Sequence, residues 1–422
     1  MEIRANNKDF YLNLNLCRHF LWCLCCFVYI YAYPQANSSD LEKANLESYG
    51  CKVTQNNQVV LLMNGHEKFE DLFKYVDNAK SFIHMEYFNF RNDSINSLLI
   101  SHLHKKAQEG VEIRVIYDAF GNYSNNQPFS KAKHDSIASL GIDIQKFDPL
   151  RFPWVNHIFP RDHRKIVVID GFTAYTGGMN VADYYVDGLE GVGPWRDMHM
   201  RIHGPAVDML HNIFVKMWAK QTGHLLTGTK YFPQGKENVG KAGVAIVDRE
   251  PNVTNKSIRQ LYISMLDNAQ HKVMIINPYF TPTKSVRKAI ERAIERGIDV
   301  QIMISEKSDI PLTPDASHLA AYKLAQKGAK VYMFQNGFHH TKAMMIDDQF
   351  CTIGSANLDS RSLRYDYEVN TAIFDSQVTM QLVNMFEMDK KDSQILNHEK
   401  WNQKTSWKKT VAWFGSILTP FL

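Results

Sequence analysis

Residues 163–170 read HRKIVVID and residues 340–347 read HTKAMMID. Both fit His-x-Lys-x-x-x-x-Asp, and each precedes a small-residue turn ending in Asn, TGGMN at 176–180 and IGSAN at 353–357. The four apolar residues between Lys and Asp suit a buried strand. Residues two apart on a strand share a face, so His163 projects with Lys165, and His340 with Lys342. Asp170 and Asp347 complete the motifs, but their odd spacing from the lysines turns them away. They read as turn-fixing groups behind the reacting ones.

The surrounding chain is also written twice. DNAKSFIHMEYF (77–88) answers to DNAQHKVMIINPYF (267–280), AQEGVEIRVIYD (107–118) to IERGIDVQIMIS (294–305), and LGIDIQKF (140–147) to KGAKVYMF (327–334). Polar helix-like runs end in Gly, and β-branched runs follow, so the unit is helix, strand, helix, strand. This predicts an α/β fold of two similar sandwich domains, each with a mixed or largely parallel sheet, facing across a pseudo-two-fold axis. The domains run over 37–238 and 239–422. The polar, Gly/Asn-rich stretches 119–135 and 222–242 read as a loop and a linker.

Residues 1–36 stand apart. Phe20 to Tyr33 carries no charge, and counting from Phe10 lengthens the apolar run but places Arg18 and His19 inside it. Either a membrane anchor or a cleaved signal fits, with the anchor favoured. Four of the six cysteines (Cys17, Cys23, Cys25, Cys26) lie in this stretch, leaving Cys51 and Cys351 for the body, which is no disulfide framework. At 422 residues, 45% hydrophobic and 22% charged, the rest is an ordinary globular chain. A net charge of +4 argues against a nucleic-acid partner. No P-loop and no paired-glycine dinucleotide fingerprint occurs, which speaks against nucleotide-driven chemistry.

Two imidazoles, two ammonium groups and two amides suit a tetrahedral phosphate. Lys165 and Lys342 neutralise non-bridging oxygens, and the turn residues Asn180 and Asn357, with Gly178 and Ser355 beside them, make the phosphate-binding set. One neutral histidine attacks phosphorus, and the other, protonated, serves the leaving alcohol. No metal and no cofactor is called for.

These paired motifs resemble the phospholipase D superfamily over most of residues 55–422, and their details resemble the bacterial cardiolipin synthases. The resemblance extends to Glu86-Tyr87-Phe88 in the first half and Pro278-Tyr279-Phe280-Thr281-Pro282 in the second, which places Glu86 and Tyr279 in the pocket. It implies that Asp197 in WRDMH and Glu368 in YDYEVN orient the histidines, in a crossed pairing of Glu368 with His163 and Asp197 with His340. His163 would then be the nucleophile and His340 the acid/base. The implied reaction transfers a phosphatidyl group from one phosphatidylglycerol to another through a phosphohistidine, releasing glycerol, at a bacterial-type cell membrane. A phospholipase D or another phosphatidyltransferase with a different acceptor is the alternative, and a phosphodiesterase or nuclease a more distant one. A silent scaffold would have no need of His, Lys and Asn in both halves. Family members commonly begin with two apolar helices, whereas this chain offers one candidate.

Other features have plainer readings. His102 and His104 fit solvated helix positions, His339 fits a loop or the pocket lining equally, and His199 and His203 alternate on a strand, from which His199 is placed to reach the site by its match to Asn370 in the repeat. Trp154 and Phe159 suit an acyl entrance or loop packing. The ending KWNQKTSWKKTVAWFGSILTPFL (400–422) fits a membrane interface, a helix packed on the second domain, or both.

Overall fold

Tight hairpins decide how the motif strands run. The computed structural model describes residues 37–123, 129–149, 159–236, 238–254, 256–310 and 313–418. In the first half β1 (Val53–Leu62), β2 (Phe82–Tyr87), β3 (Glu112–Asp118), β4 (Asp143–Phe147), β5 (Lys165–Ile169) and β6 (Thr173–Gly177) are followed by the short β7 (Trp195–Arg196) and by β8 (His199–His203). In the second, β9 (Ala242–Arg249), β10 (Lys272–Ile276), β11 (Asp299–Ser305) and β12 (Lys330–Phe334) precede the short β13 (Phe338–His339). β14 (Ala343–Ile346), β15 (Phe350–Gly354), β16 (Glu368–Phe374) and β17 (Ser393–Ile395) complete the set.

Three residues join β5 to β6 and β14 to β15, and so short a connection can only link antiparallel neighbours. Asp170 and Asp347 take left-handed backbone angles there, with φ of 53° and 52°, which Asp tolerates better than most residues. Their carboxylates accept the backbone N–H groups of Lys80, Ser81 and Phe82 in one half and of Gln270, His271 and Lys272 in the other. Each aspartate thus ties its hairpin to the start of the neighbouring strand.

Among the described residues fifteen strands form one sheet in the order β17-β12-β11-β10-β14-β15-β16-β9-β1-β8-β6-β5-β2-β3-β4. Outward from the antiparallel β1–β9 pair the two halves repeat the same sequence of strands, so the pseudo-two-fold axis passes between them. Only β2-β3-β4 and β10-β11-β12 are parallel within the sheet. The sheet is therefore mixed, with antiparallel pairs in the majority, and not largely parallel; the three-residue hairpins fix two of those pairs.

Helices cover both faces. Gly65–Asp77 and Ser94–Gln108 bury Phe69, Leu72, Leu99 and Leu103 against β2, β3 and β5. Ser257–Asn268 and Lys284–Glu295 repeat this on the second half through Leu261, Met265, Val286 and Ile290. On the other face Ala206–Thr222 and Ser376–Asp389 share one apolar cluster with strands of both halves. Truncating a core side chain such as Leu103 to Ala would cost about 2–5 kcal/mol.

Two stretches differ from expectation. Within 119–135, read as loop, Ala119–Tyr123 is helical and a second helix begins at Lys131, its N-terminus capped by Ser130. Helix Ser38–Ser48, expected at the start of the first domain, packs on the second, where buried Glu42 accepts hydrogen bonds from Ser264 and Asn268. The apolar segment 1–36, its four cysteines and Trp154 lie outside the described residues. Among the described residues no helix is long and apolar enough to cross a membrane.

Candidate active site

Each motif histidine sits where its strand leaves its own half and pairs with the other. Next to β5, His163 donates its N–H to the Tyr367 carbonyl at 3.0 Å, and Tyr367 donates to that of Arg161 at 2.8 Å. In the mirrored position β13 pairs with β7: Phe338 donates to Pro194 at 2.9 Å and His340 to Arg196 at 2.6 Å. The residue before each histidine is also held in matching fashion. Asp162 N–H meets Asp118 Oδ2 at 2.9 Å, and His339 N–H meets Ser305 Oγ at 2.7 Å. Asp118 and Ser305 are counterparts in the repeat.

The backbone pairing delivers the acids. Tyr367 leads into Glu368, whose Oε1 lies 2.9 Å from His163 Nδ1. Arg196 leads into Asp197, whose Oδ2 lies 2.6 Å from His340 Nδ1. Each histidine therefore meets a carboxylate from the opposite half. Burial pushes both carboxyls up, yet the cations around them win. Glu368 is held below its ordinary value by His163, Lys165 and the Ser355 hydroxyl, and Asp197 by Lys342 and His340. An ionised carboxylate accepts only, so each Nδ1 carries a proton and Nε2 is left as the lone-pair nitrogen.

Burial lowers both imidazoles. His163 is brought down to about 4, against the pull of Glu368 and with help from Lys165 and Lys342. His340 is lowered too, Lys342 adding to burial and Asp197 opposing it. Lys165 and Lys342 lie fully within the protein, each Nζ donating to the carbonyl of its own motif histidine, at 2.5 Å for Lys342. Lys342 Nζ also stands 3.2 Å from His340 Nε2. Burial brings Lys165 down to about 7 and lowers Lys342 as well.

Both histidines line one cavity of about 560 Å³, together with Asn180, Asn357 and Tyr279. Aromatic edges flank them: Phe88 meets His163 at 4.9 Å between ring centres, and Tyr279 meets His340 at 5.9 Å. Tyr279 is fixed in turn by donating to Asp309 at 2.5 Å. Asn180 accepts from Asn89 N–H and donates to the Tyr185 hydroxyl, whereas Asn357 Oδ1 has no hydrogen-bond partner among the described residues. Phe159 also lines the cavity. Among the described residues no group of three His, Cys, Asp or Glu side chains is placed to hold a metal ion.

Three sequence assignments are corrected. Glu86 does not line the cavity. It shares the β2 face of Phe82 and His84, which packs toward Ala206–Thr222, and it lies fully buried beside Asp162 and Arg164. Gly178 donates its N–H to Met198, and its role is spatial: a Cβ there would lie 2.3 Å from Asp197 Oδ1. Ser355 donates its N–H to the Val369 carbonyl and its hydroxyl to Glu368, so both donors are taken inside the protein and neither serves a phosphate. Asp170 and Asp347 stand at the hairpins, away from the cavity.

Other histidines fall as the plain readings have it, or deeper. His102 pairs with Asp77, and His104 with the Leu140 carbonyl. His339 is buried against Asp389. His199 is buried with neither ring nitrogen hydrogen-bonded among the described residues, while its counterpart Asn370 binds Tyr262 and Thr352. Sequence reasoning missed Arg91, Asp309, Asp359 and Arg361, which all line the cavity. A signal existed for two of them: LDSRSLR follows IGSAN directly, so a turn aimed at the site carries Asp359 and Arg361 with it.

Comparison with known proteins gives the family and the fold. A family model described as "Cardiolipin synthase, PLD-like domain" matches residues 72–218 and 262–390, one segment per half. The chain is 34% identical over 388 residues to a cardiolipin synthase of Listeria monocytogenes, covering 91% of this chain and 79% of that one. It is 34% identical over 386 residues to cardiolipin synthase 1 of Staphylococcus epidermidis, covering 91% and 78%. A crystal structure of phosphatidylserine synthase from Haemophilus influenzae superposes with a TM-score of 0.72 at 16% identity, over 92% of this chain and 100% of that one, which speaks to the fold. The chain belongs to the cardiolipin synthase family of the phospholipase D superfamily.

Proposed function

We propose that the chain makes cardiolipin by phosphatidyl transfer between two phosphatidylglycerol molecules at a membrane surface. The observation that carries the mechanism is that His163 and His340, each bound at Nδ1 to an acid of the other half, open onto one cavity. His163 Nε2 attacks the phosphorus of the first phosphatidylglycerol. The bond from phosphorus to the glycerol headgroup breaks, and protonated His340 gives its proton to the departing oxygen. The phosphatidyl group stays on His163. A terminal hydroxyl of the second lipid then loses its proton to neutral His340, attacks phosphorus and frees His163.

Lys165, Lys342 and Asn357 stabilise the charge on the non-bridging oxygens; removing one such donor typically costs about 10²–10³ in rate. The substrate's own negative charge favours the protonated state of His340 that the empty site disfavours. Burial keeps His163 neutral down to about 4, as an attacking nitrogen requires, and the family resemblance assigns it the nucleophile's role. The aromatic wall of Phe88, Phe159, Tyr184 and Trp195 favours a lipid alcohol over water at the second step.

Purified full-length protein, incubated with phosphatidylglycerol vesicles, is expected to release one glycerol per cardiolipin formed. Steady accumulation of phosphatidic acid without cardiolipin would overturn the choice of acceptor and point to hydrolysis.

A further inference from the structure

Residues 400–422 hold four lysines and no Asp or Glu. Trp401 is buried, its ring stacked on Tyr322 at 4.7 Å. Beyond that anchor, helix Ser406–Leu418 packs along helix Thr313–Ala325. Its inner face is Ala412, 1% exposed, with the buried Gly415. Trp407 and Phe414, seven residues apart, fall on one line along the helix, and Trp413 flanks it, on the side away from Ala412. These three rings are 74%, 58% and 55% exposed in the order Trp407, Phe414, Trp413. Burying an aromatic ring is among the larger favourable terms available to a side chain, so three left in water on one short helix mark a contact surface.

We propose that this helix docks the protein on an anionic bilayer. Trp407, Trp413 and Phe414 enter the boundary between headgroups and acyl chains, and Lys400 and Lys409, the latter one turn before Trp413, meet lipid phosphates. Charge decides the occupant, since a segment with lysines and no acid complements an anionic surface. The choice of a lipid also rests on the phosphatidyl-transfer reading. The helix is joined to the cavity wall. Helix Thr313–Ala325 contributes Ala316 and Ser317 to the lining, and Lys404 Nζ binds His318 Nδ1 at 2.7 Å. Docking therefore holds one wall of the cavity against the lipid surface.

Two measurements on the full chain test this. The emission of Trp407 and Trp413, isolated by subtracting a W407F/W413F chain, is expected to be quenched by brominated acyl chains in vesicles containing phosphatidylglycerol, and much less in phosphatidylcholine vesicles. A W407S/W413S/F414S chain is expected to lose roughly tenfold of its turnover on vesicles and to keep turnover on monomeric short-chain phosphatidylglycerol. Unquenched emission overturns the docking, whatever the turnover, as does an equal loss on both substrates. A dimer in dilute solution that the serine variant breaks also overturns it, in favour of a second copy as occupant. Absence of cardiolipin in the wild-type reaction, with quenching intact, would instead count against the acceptor reading alone.

Discussion

Nδ1 of His340 and Oδ2 of Asp197 stand 2.6 Å apart although 143 residues separate them, and they come from opposite halves of the protein. The same relation, with the halves exchanged, joins His163 to Glu368 at 2.9 Å. Each acid fixes the proton on Nδ1, orients the ring and steadies the imidazolium when it forms. Asp197→Asn keeps the volume and loses the charge. It is expected to lower kcat by roughly a thousandfold or more while Tm stays close to wild type. Combined with His340→Ala it should add little further loss, since the two act as a unit. Steady-state kinetics of the single and double variants check this, and full additivity would break the pairing.

The pH profile follows from burial. His163 stays neutral until pH falls toward about 4, and Lys165 keeps its proton up to about 7. The kcat/KM of the free enzyme is expected to fall on the acid side near 4, where His163 gains a proton, and on the alkaline side below the ordinary histidine range, where His340 of the empty site loses the proton it must donate. Bound substrate brings an anion beside Lys165 and His340, so the alkaline limb of kcat should lie higher than that of kcat/KM. An acid limb of kcat/KM at about 6.5 would contradict the neutral-nucleophile reading.

Lys165 is a burden on folding. Its native value of about 7 lies below the ordinary 10.5, so between these values the unfolded chain holds more protons than the native one. Stability then rises with pH through that window, and the full cost of the buried cation is present below about 7. Lys165→Met is expected to raise Tm at neutral or lower pH, to lose this advantage toward pH 10.5, and to abolish turnover. Thermal unfolding across pH, read beside activity, tests it; a lower Tm at pH 6 would show the charge to be stabilising after all.

Gly178 makes room for an acid. A Cβ at this position would meet Asp197 Oδ1 at 2.3 Å and Asp197 Cγ at 2.9 Å. Gly178→Ala is therefore expected to displace Asp197 from His340 and lower kcat by about 10²-fold, in line with the sensitivity of catalysis to an ångström-scale shift. KM should move far less. Parallel loss of kcat and of bound vesicle substrate would point to general unfolding instead.

The motif residues were legible because chemistry and strand alternation speak at once: His-x-Lys puts two groups on one face, and its recurrence in a repeat leaves little to chance. Less legible was the seam. β1 reads VTQNNQVVLL, with polar Gln55 to Gln58 in its middle and Asn56 at a positive φ of 61°, so its alternation breaks where it bulges against β9. Asn57 repairs the break by binding the nearby Thr54 carbonyl together with the Ala242 carbonyl and the Ala206 N–H, the last two remote in sequence. Glu86 was misplaced because a strand motif fixes which residues share a face but not which face meets the cavity. Ser355 and Gly178 sit in the turn as expected, yet whether a turn donor reaches a phosphate or a neighbouring acid depends on β8 and β16, whose registers no local pattern encodes.

Crossing the acids between the halves has an evolutionary cost. A duplicated unit ordinarily frees one copy to drift, because its twin covers any loss. Here Glu368 completes the first half's histidine and Asp197 the second's, so neither copy has a spare, and damage to one disarms both. Selection must hold the pair as a single allele.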